Sequence, residues 1–310
     1  MLSRTAASLY WMARYLERAE SIARFLEMGQ RMAMLPGAGA RDEWRSVVVS
    51  CGAGEVFDKN ERITESTAIR ALLLDPDNPS SIRSCLASAR ANGKAVRTAL
   101  TRDMWESLND GWRRLETVDG GSNLRRELPD LLEWTKTRAA LFRGSAETGM
   151  LRHDGYDFMR LSGNIERADM VLRLLDVKYY VLLPETDVVG GGRDHHQWTA
   201  VLHATSASRA YHHVYKGDYA PWKIADFLLL NPAFPRSLLF CYREVGRHLD
   251  RIARRYGSRH DCHSTASEMI ARLEDAGMGE VFQQGLHDFI VDAVGVTGRM
   301  SSQISRAYHF

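Results

Sequence analysis

The sequence predicts an all-α protein: an internally duplicated helical bundle whose two pseudo-twofold-related halves pack as one unit. Three observations predict it. The stretch "LERAESIARFLE" (Leu16 to Glu27) returns as "IERADMVLRLLD" (Ile165 to Asp176), with Glu17 and Glu166 149 positions apart. The stretch "LLLDPDNPSSIRSC" (Leu72 to Cys85) aligns without a gap to "LLLNPAFPRSLLFC" (Leu228 to Cys241), identical at seven of fourteen positions. Between them, "WRSVVVS" from Trp44 matches "WTAVLHA" from Trp198, so three anchors keep their order at offsets of 149, 154 and 156. That order implies a single domain over 1–310, with one repeat at about 1–150 and the other at about 151–310.

The helices follow from periodicity and punctuation. Over residues 9–27, Leu9, Met12, Leu16, Ala19, Ala23 and Leu26 form one apolar stripe, and Trp11, Tyr15, Ile22 and Phe25 a second beside it. A helix apolar around most of its circumference belongs in the interior. The eight prolines read as breaks between periodic segments. In "LLLDPDNPSSI" one helix ends at Asp75, the chain turns through Pro76 and Pro79, and Asn78 or Ser80 caps the next. Pro232 and Pro235 repeat that logic. Glycine clusters at 36–40, 119–122 and 189–194 mark loops, and no β-branched run alternates at period two. The expectation is ten to twelve helices.

The motif helix raises a problem of charge. Arg18 falls within the second apolar stripe, and Arg167 lies among Asn164, Val171 and Leu174. An unpaired guanidinium there would cost several kcal/mol, on the order expected for a desolvated ion. Glu17 cannot serve Arg18, because adjacent helical positions point about 100° apart. If the two motif helices pack across the pseudo-twofold, Glu17 meets Arg167 and Glu166 meets Arg18, with bidentate geometry. Glu20 with Arg24 and Asp169 with Arg173 add local pairs at i,i+4. Two readings stay open: a buried ion-pair network that fixes the register of the halves, or a polar pocket at their interface. For the pocket, Tyr10, Arg14, Glu17, Ser21 and Arg24 share a face suited to a carboxylate-bearing ligand, and Glu17 and Glu166 are the candidates for acid–base catalysis.

Composition excludes several classes. Lys plus Arg (41) against Asp plus Glu (39) leaves +2, no footprint for nucleic acid or an anionic membrane. The basic run "RIARRYGSRH" (Arg251 to His260) reads as a solvated helix end. No apolar run approaches the roughly 20 residues that span a bilayer. Cys51, Cys85, Cys241 and Cys262 lack paired spacing and read as reduced, buried thiols, which with the absence of a secretory leader points to the cytoplasm. The histidines at 195/196, 212/213 and 260/263 fit no ligand pattern, so neither a metal nor another cofactor is expected. Ser80 and Ser81 read as helix caps, there is no nucleophile elbow and no phosphate loop, and "VGGG" lacks a strand–turn–helix setting. The aromatic-rich helices, with Tyr10, Trp11 and Tyr15, Tyr179 and Tyr180, and Tyr211 and Tyr215, read as core or as anchors for a protein partner.

At these residues the chain resembles the alpha-E domain family, bacterial all-helical proteins with a Glu-Arg motif. The likeness runs through "SLYWMARYLERAESIARFLE", "NPSSIRSCLASARANGKAVR", "RDMWESLN", "NIERADMVLRLLD", "FLLLNPAFPRSLLFCYREV" and "LHDFIVDAVGVTGRMSSQISRAYHF". It implies association with a circularly permuted ATP-grasp protein, often with a transglutaminase-like peptidase and at times a proteasome-like hydrolase, in a system that makes or trims amide bonds on peptides. Glu17, Arg18, Glu166 and Arg167 match the motif; Asn78, Ser80, Ser81, Arg90, Asn92, Arg97 and Trp105 match it less closely. Gly93 and Lys94 interrupt a helical run in "ANGKAVR" and are expected to weaken it. The resemblance implies a non-catalytic or co-catalytic subunit that presents or carries a peptide for an ATP-grasp ligase. The alternatives are an enzyme using Glu17 or Glu166 and a purely structural adaptor.

Overall fold

In the computed structural model, which describes residues 1–34, 40–57, 62–121, 123–180, 191–275 and 277–310, every regular element is helical and no strand occurs among the described residues. In chain order these are α1 (Ser3–Met32), α2 (Ala40–Ser50), α3 (Glu65–Leu73), α4 (Ile82–Ala95), α5 (Arg102–Glu116), α6 (Leu124–Gly149) and α7 (Asp154–Tyr180). Then come α8 (Gly192–Ala204), α9 (Ser208–Tyr215), α10 (Pro221–Leu230), α11 (Leu238–Tyr256), α12 (Asp261–Asp275), α13 (Met278–Gln284) and α14 (Leu286–Tyr308). Short 3-10 turns occupy Gly54–Val56 and Arg97–Ala99. The helices outnumber the ten to twelve expected, because pieces as short as α9 and α13 are too brief to show a period.

Two long helices, α1 and α7, pack on each other at the centre. On one side α1 is flanked by α4 and α6, with α5 joining those two; on the other, α7 is flanked by α11 and α14, with α12 between them. Tyr10, Phe25, Phe158, Tyr211, Phe227, Tyr242 and Phe289 are fully buried around this centre. Both apolar stripes of α1 are largely buried, as a helix apolar around most of its circumference requires.

The turns correct three details of the sequence reading. Helix α3 ends at Leu73, two residues before the expected Asp75, and of the candidate caps it is Ser81 that serves α4, its Oγ accepting from the Ser84 N–H at 3.1 Å. Asn78 instead folds back: its Oδ1 accepts from the Ser80 N–H at 2.9 Å and its Nδ2 donates to the Ala71 carbonyl at 2.9 Å. A buried Asn with both ends engaged stabilises the turn rather than the helix start. At the later anchor Ser237 caps α11 through the Phe240 N–H at 3.1 Å. Pro129 lies inside α6, contrary to the rule that every proline separates helices; it sits on an exposed position near the helix start, where its missing N–H costs only the bond to the Arg125 carbonyl. Of the expected glycine loops, residues 36–39, 122 and 189–190 lie outside the described residues, whereas Gly192 already opens α8. The side chains of Tyr179 and Tyr180 also lie outside the described set.

Glycines inside helices mark close approaches. Gly93 and Lys94 do not break α4: an added Cβ at Gly93 would stand 2.9 Å from Leu108 and 3.3 Å from Met12, so glycine lets α4 settle against α1 and α5. Gly29 is tighter, since a Cβ added there would stand 2.8 Å from the Trp44 ring, whereas one at Gly163 in α7 would meet nothing within 4 Å. Gly29→Ala is therefore expected to destabilise the chain by about 1–3 kcal/mol through overpacking. Gly163→Ala is expected to stabilise it by about 0.5–1 kcal/mol, because only the unfolded-state entropy changes. Urea melts of the two variants should move in opposite directions; equal shifts would contradict both placements.

Candidate functional site

The repeated Glu-Arg stretches put their charges at the contact of α1 and α7. Glu17 and Glu166 are 3% and 0% exposed. Arg167 donates from Nε to Glu17 Oε1 at 2.7 Å and from Nη2 to Oε2 at 2.8 Å. Arg18 answers from the other helix, from Nε to Glu166 Oε1 at 2.6 Å and from Nη2 to Oε2 at 3.0 Å. The expected exchange of partners between the motifs is thus present, bidentate in both directions.

Each carboxylate also takes a second cation, and the two sources differ. Arg14, one helical turn before Arg18 on α1, donates from Nε to Glu166 at 2.6 Å. At Glu17 the second donor is Arg143 from α6, at 3.1 Å, which also bonds Glu20. Glu20, 1% exposed, further accepts from Arg24 at 2.7 and 3.1 Å and from Arg236, in the turn before α11, at 2.5 Å. The local pair Arg173–Asp169 forms at 2.7 Å as the i,i+4 spacing implied.

Of the other predicted site residues, Tyr10 accepts from Arg14 Nη1 at 3.1 Å, and the same Nη1 donates to Ser301 of α14. Arg24 reaches the Ala204 carbonyl and Ser206 Oγ, both at 2.8 Å, and Ser21 is buried. The face expected to hold an external carboxylate is therefore supplied with carboxylates from within the chain. The less closely matching positions gather elsewhere. Arg90 donates to Asn109 at 2.9 Å and lies 3.9 Å from the Trp112 ring centre; Arg97 lies 5.2 Å from that of Trp105; Asn92 donates to the Ser88 carbonyl at 2.9 Å. With Asn78, Ser80 and Ser81 at the foot of α4, they form a turn and a half-exposed Arg–Trp stack on α4, the 3-10 turn after it and α5.

Sequence reasoning missed Arg143, Arg236 and Ser301. Arg236 left a trace: it aligns with Ser80, one of seven positions at which the two proline-bearing stretches differ. Arg143 and Ser301 left none, since neither lies in a stretch that recurs along the chain.

The electrostatics follow from crowding. Burial pushes the Glu17 carboxyl up, but Arg167 and Arg143 outweigh it and hold it down at about 2. Burial likewise opposes Glu166 and Glu20, yet Arg18 and Arg14 hold the first below its usual value and Arg236, Arg143 and Arg24 hold the second well below. Burial lowers Arg236 to about 10, with Arg24 and Arg167 adding repulsion that Glu20 only partly offsets. Burial pushes the Cys85 and Cys241 thiols up to about 12, so neither is a thiolate nucleophile at neutral pH. Each thiol points at a proline carbonyl of its own turn, Pro79 at 3.6 Å and Pro235 at 3.8 Å. Among the described residues no three His, Cys, Asp or Glu converge to hold a metal ion, and no helix is long and apolar enough to cross a membrane.

The sequence profile of the Alpha-E family, described as a predicted alpha-helical domain with a conserved ER motif, matches residues 1–309. Uncharacterised proteins of Mycobacterium bovis and Mycobacterium tuberculosis are 25% identical over 292 residues, covering 87% of this chain and 32% of theirs. The chain spans about a third of the length of the curated relatives it matches. No solved structure matches it.

Proposed function

The chain belongs to the Alpha-E family, and from that premise we propose that it is a non-catalytic helical subunit that presents or carries a peptide for an ATP-grasp amide ligase. The observation that carries the non-catalytic part is the fate of the motif carboxylates. Each of Glu17 and Glu166 accepts from two guanidinia and is held ionised far below neutral pH. A general acid or base works best with a pKa near the operating pH, and these are displaced the other way. That displacement favours a fixed scaffold over the reading in which either glutamate does acyl chemistry. In the mycobacterial relatives the matched region is 32% of the protein, which leaves room there for further modules. The ATP-grasp partner follows from the family resemblance; it would bring the nucleotide, Mg²⁺ and acyl-phosphate chemistry, with a transglutaminase-like peptidase as a further associate in the cytoplasm.

We also propose that the bundle arose by internal duplication. The exchanged Glu-Arg pairs, the matching Ser81 and Ser237 caps, the matching Cys85 and Cys241 contacts, and the flanking of α1 by α4 and α6 as α7 is flanked by α11 and α14 all support it.

Calorimetry of the isolated chain with ATP and Mg²⁺ is expected to give no binding heat. Co-expression with the cognate ATP-grasp protein is expected to give co-purification and a changed set of ligation products by mass spectrometry. Turnover of a peptide by the isolated chain, or identical ligase output with and without it, would sink the proposal.

A further inference from the structure

The buried network holds more cations than anions. Among the described residues, Glu17, Glu20 and Glu166 face Arg14, Arg18, Arg24, Arg143, Arg167 and Arg236, three carboxylates against six guanidinia. Adding the Asp169–Arg173 pair leaves the excess unchanged. Uncompensated positive charge out of water is costly, and a site that carries it is suited to an anion.

Two of these arginines, Arg143 and Arg167, also line an opening. Gly163 follows Arg14 by 149 residues, the offset of the two motifs, so the position that supplies a guanidinium beside Glu166 supplies no side chain beside Glu17. Next to Gly163 lies a cavity of about 30 Å³, with Glu17, Arg143, Arg160, Asn164 and Arg167 on its polar side and apolar residues such as Leu16, Phe142 and Met159 over the rest of its wall. A water needs roughly 10–15 Å³ on this measure, so the space takes two or three such spheres, the size of a carboxylate group. Glu17 has both oxygens engaged by guanidinia and has little to offer an entering cation.

Two groups on the wall lack partners. Asn164 is 2% exposed; its Nδ2 donates to the Arg160 carbonyl at 2.8 Å, and its Oδ1 accepts from nothing. Arg160 Nε is buried and donates to nothing. Buried polar atoms are rarely left so without a reason. One is an acceptor and the other a charged donor, one turn apart on α7. A ligand that satisfies both must offer an N–H and an anionic oxygen a few atoms apart, as the last residue of a peptide does with its amide N–H and its α-carboxylate.

We propose that this cavity is a carboxylate-binding site that takes the C-terminal carboxylate of a peptide, with Arg160 and its neighbours Arg143 and Arg167 receiving the carboxylate and Asn164 Oδ1 accepting from the adjoining N–H. The site stands on its own geometry; that the carboxylate belongs to a carried peptide rests on the substrate-presenting role proposed above.

The test uses the full chain and titrates N-acetylglycine, N-acetylglycinamide, acetate and inorganic phosphate by NMR. N-acetylglycine is expected to bind with a Kd on the order of 1 mM, at least about tenfold tighter than the other three, tenfold being the scale of one charge-assisted hydrogen bond. Gly163→Leu, which fills the open space, and Asn164→Leu should each weaken it about tenfold. Arg160→Gln, at a half-buried position, serves as a third variant whose folding is not in question. No binding of N-acetylglycine, equal binding of its amide, of acetate or of phosphate, or undiminished binding by Arg160→Gln would overturn the site. The ligase assay is independent. Binding without any effect on ligase output refutes the role in ligation and supports the site; altered output without binding refutes the site and supports the role.

Discussion

Glu17→Gln is expected to destabilise the chain by about 3–5 kcal/mol, the range for breaking a buried ion pair from one side. Glu17 is 3% exposed and accepts from Arg167 at 2.7 and 2.8 Å and from Arg143 at 3.1 Å, so its neutralisation strands two guanidinia. The amide would also turn an N–H toward one of them. Arg167→Met should cost less than Glu17→Gln, because it removes a charge of the sign already in excess. Arg236→Met, which takes away the guanidinium that burial and Arg24 already disfavour, should stay within about 1 kcal/mol. Combining Glu17→Gln with Arg167→Met should recover part of the single losses, since the stranded partner goes too. Urea unfolding curves for the four species give the coupling directly. Strictly additive losses, or a Glu17→Gln cost under about 1 kcal/mol, would contradict the pairing.

The chain is expected to unfold cooperatively in acid between about pH 4.5 and pH 2. An isolated glutamate titrates at 4.5, whereas Glu17 titrates at about 2 in the fold, because Arg167 and Arg143 outweigh its burial. A carboxyl lowered by folding contributes stability that is complete above its unfolded pKa and lost as pH falls through the folded one. Glu17 alone is worth on the order of 3 kcal/mol on this account, a large part of a typical domain's net stability. Glu20 and Glu166 are shifted in the same direction and add to it. Protonation leaves the six arginines facing one another, which steepens the transition. Far-UV circular dichroism across pH 2–7 tests this, and added salt should protect little because the charges are buried. Native ellipticity retained at pH 2 would contradict the loss of the Glu17 contribution by that pH.

How much of this was legible in the sequence depends on which residues are asked about. The apolar stripes at Leu9, Met12 and Leu16 and at Trp11, Tyr15 and Ile22 are periodic, and period is local information; the helix they predict is the central α1. The Glu17–Arg167 and Glu166–Arg18 exchange was legible because the Glu-Arg pattern occurs twice along the sequence, and the buried position of Arg18 demanded a distant partner. Turn chemistry was harder to read. Asn78, Ser80 and Ser81 are all competent caps, and only the path of the chain decides which hydroxyl meets an orphan N–H. Gly93 reads as a weakness of α4 until Leu108 and Met12 are found pressed against it.

What the sequence determined by itself, then, is the helical class, the interior place of the motif helices and the pairing of their charges. These follow from spacing along one helix and from the cost of a lone buried ion. What only the tertiary structure decided is the rest of the charge balance. Arg143 arrives from α6, Arg236 from the turn before α11 and Ser301 from α14, each from a segment with no fixed spacing to the motif. The excess of cations grows from four guanidinia on α1 and α7 to six through Arg143 and Arg236, and the cavity beside Gly163 closes only where α6 brings Arg143 and Phe142 against α1 and α7. No periodicity along the chain encodes that convergence; it depends on how the helices pack.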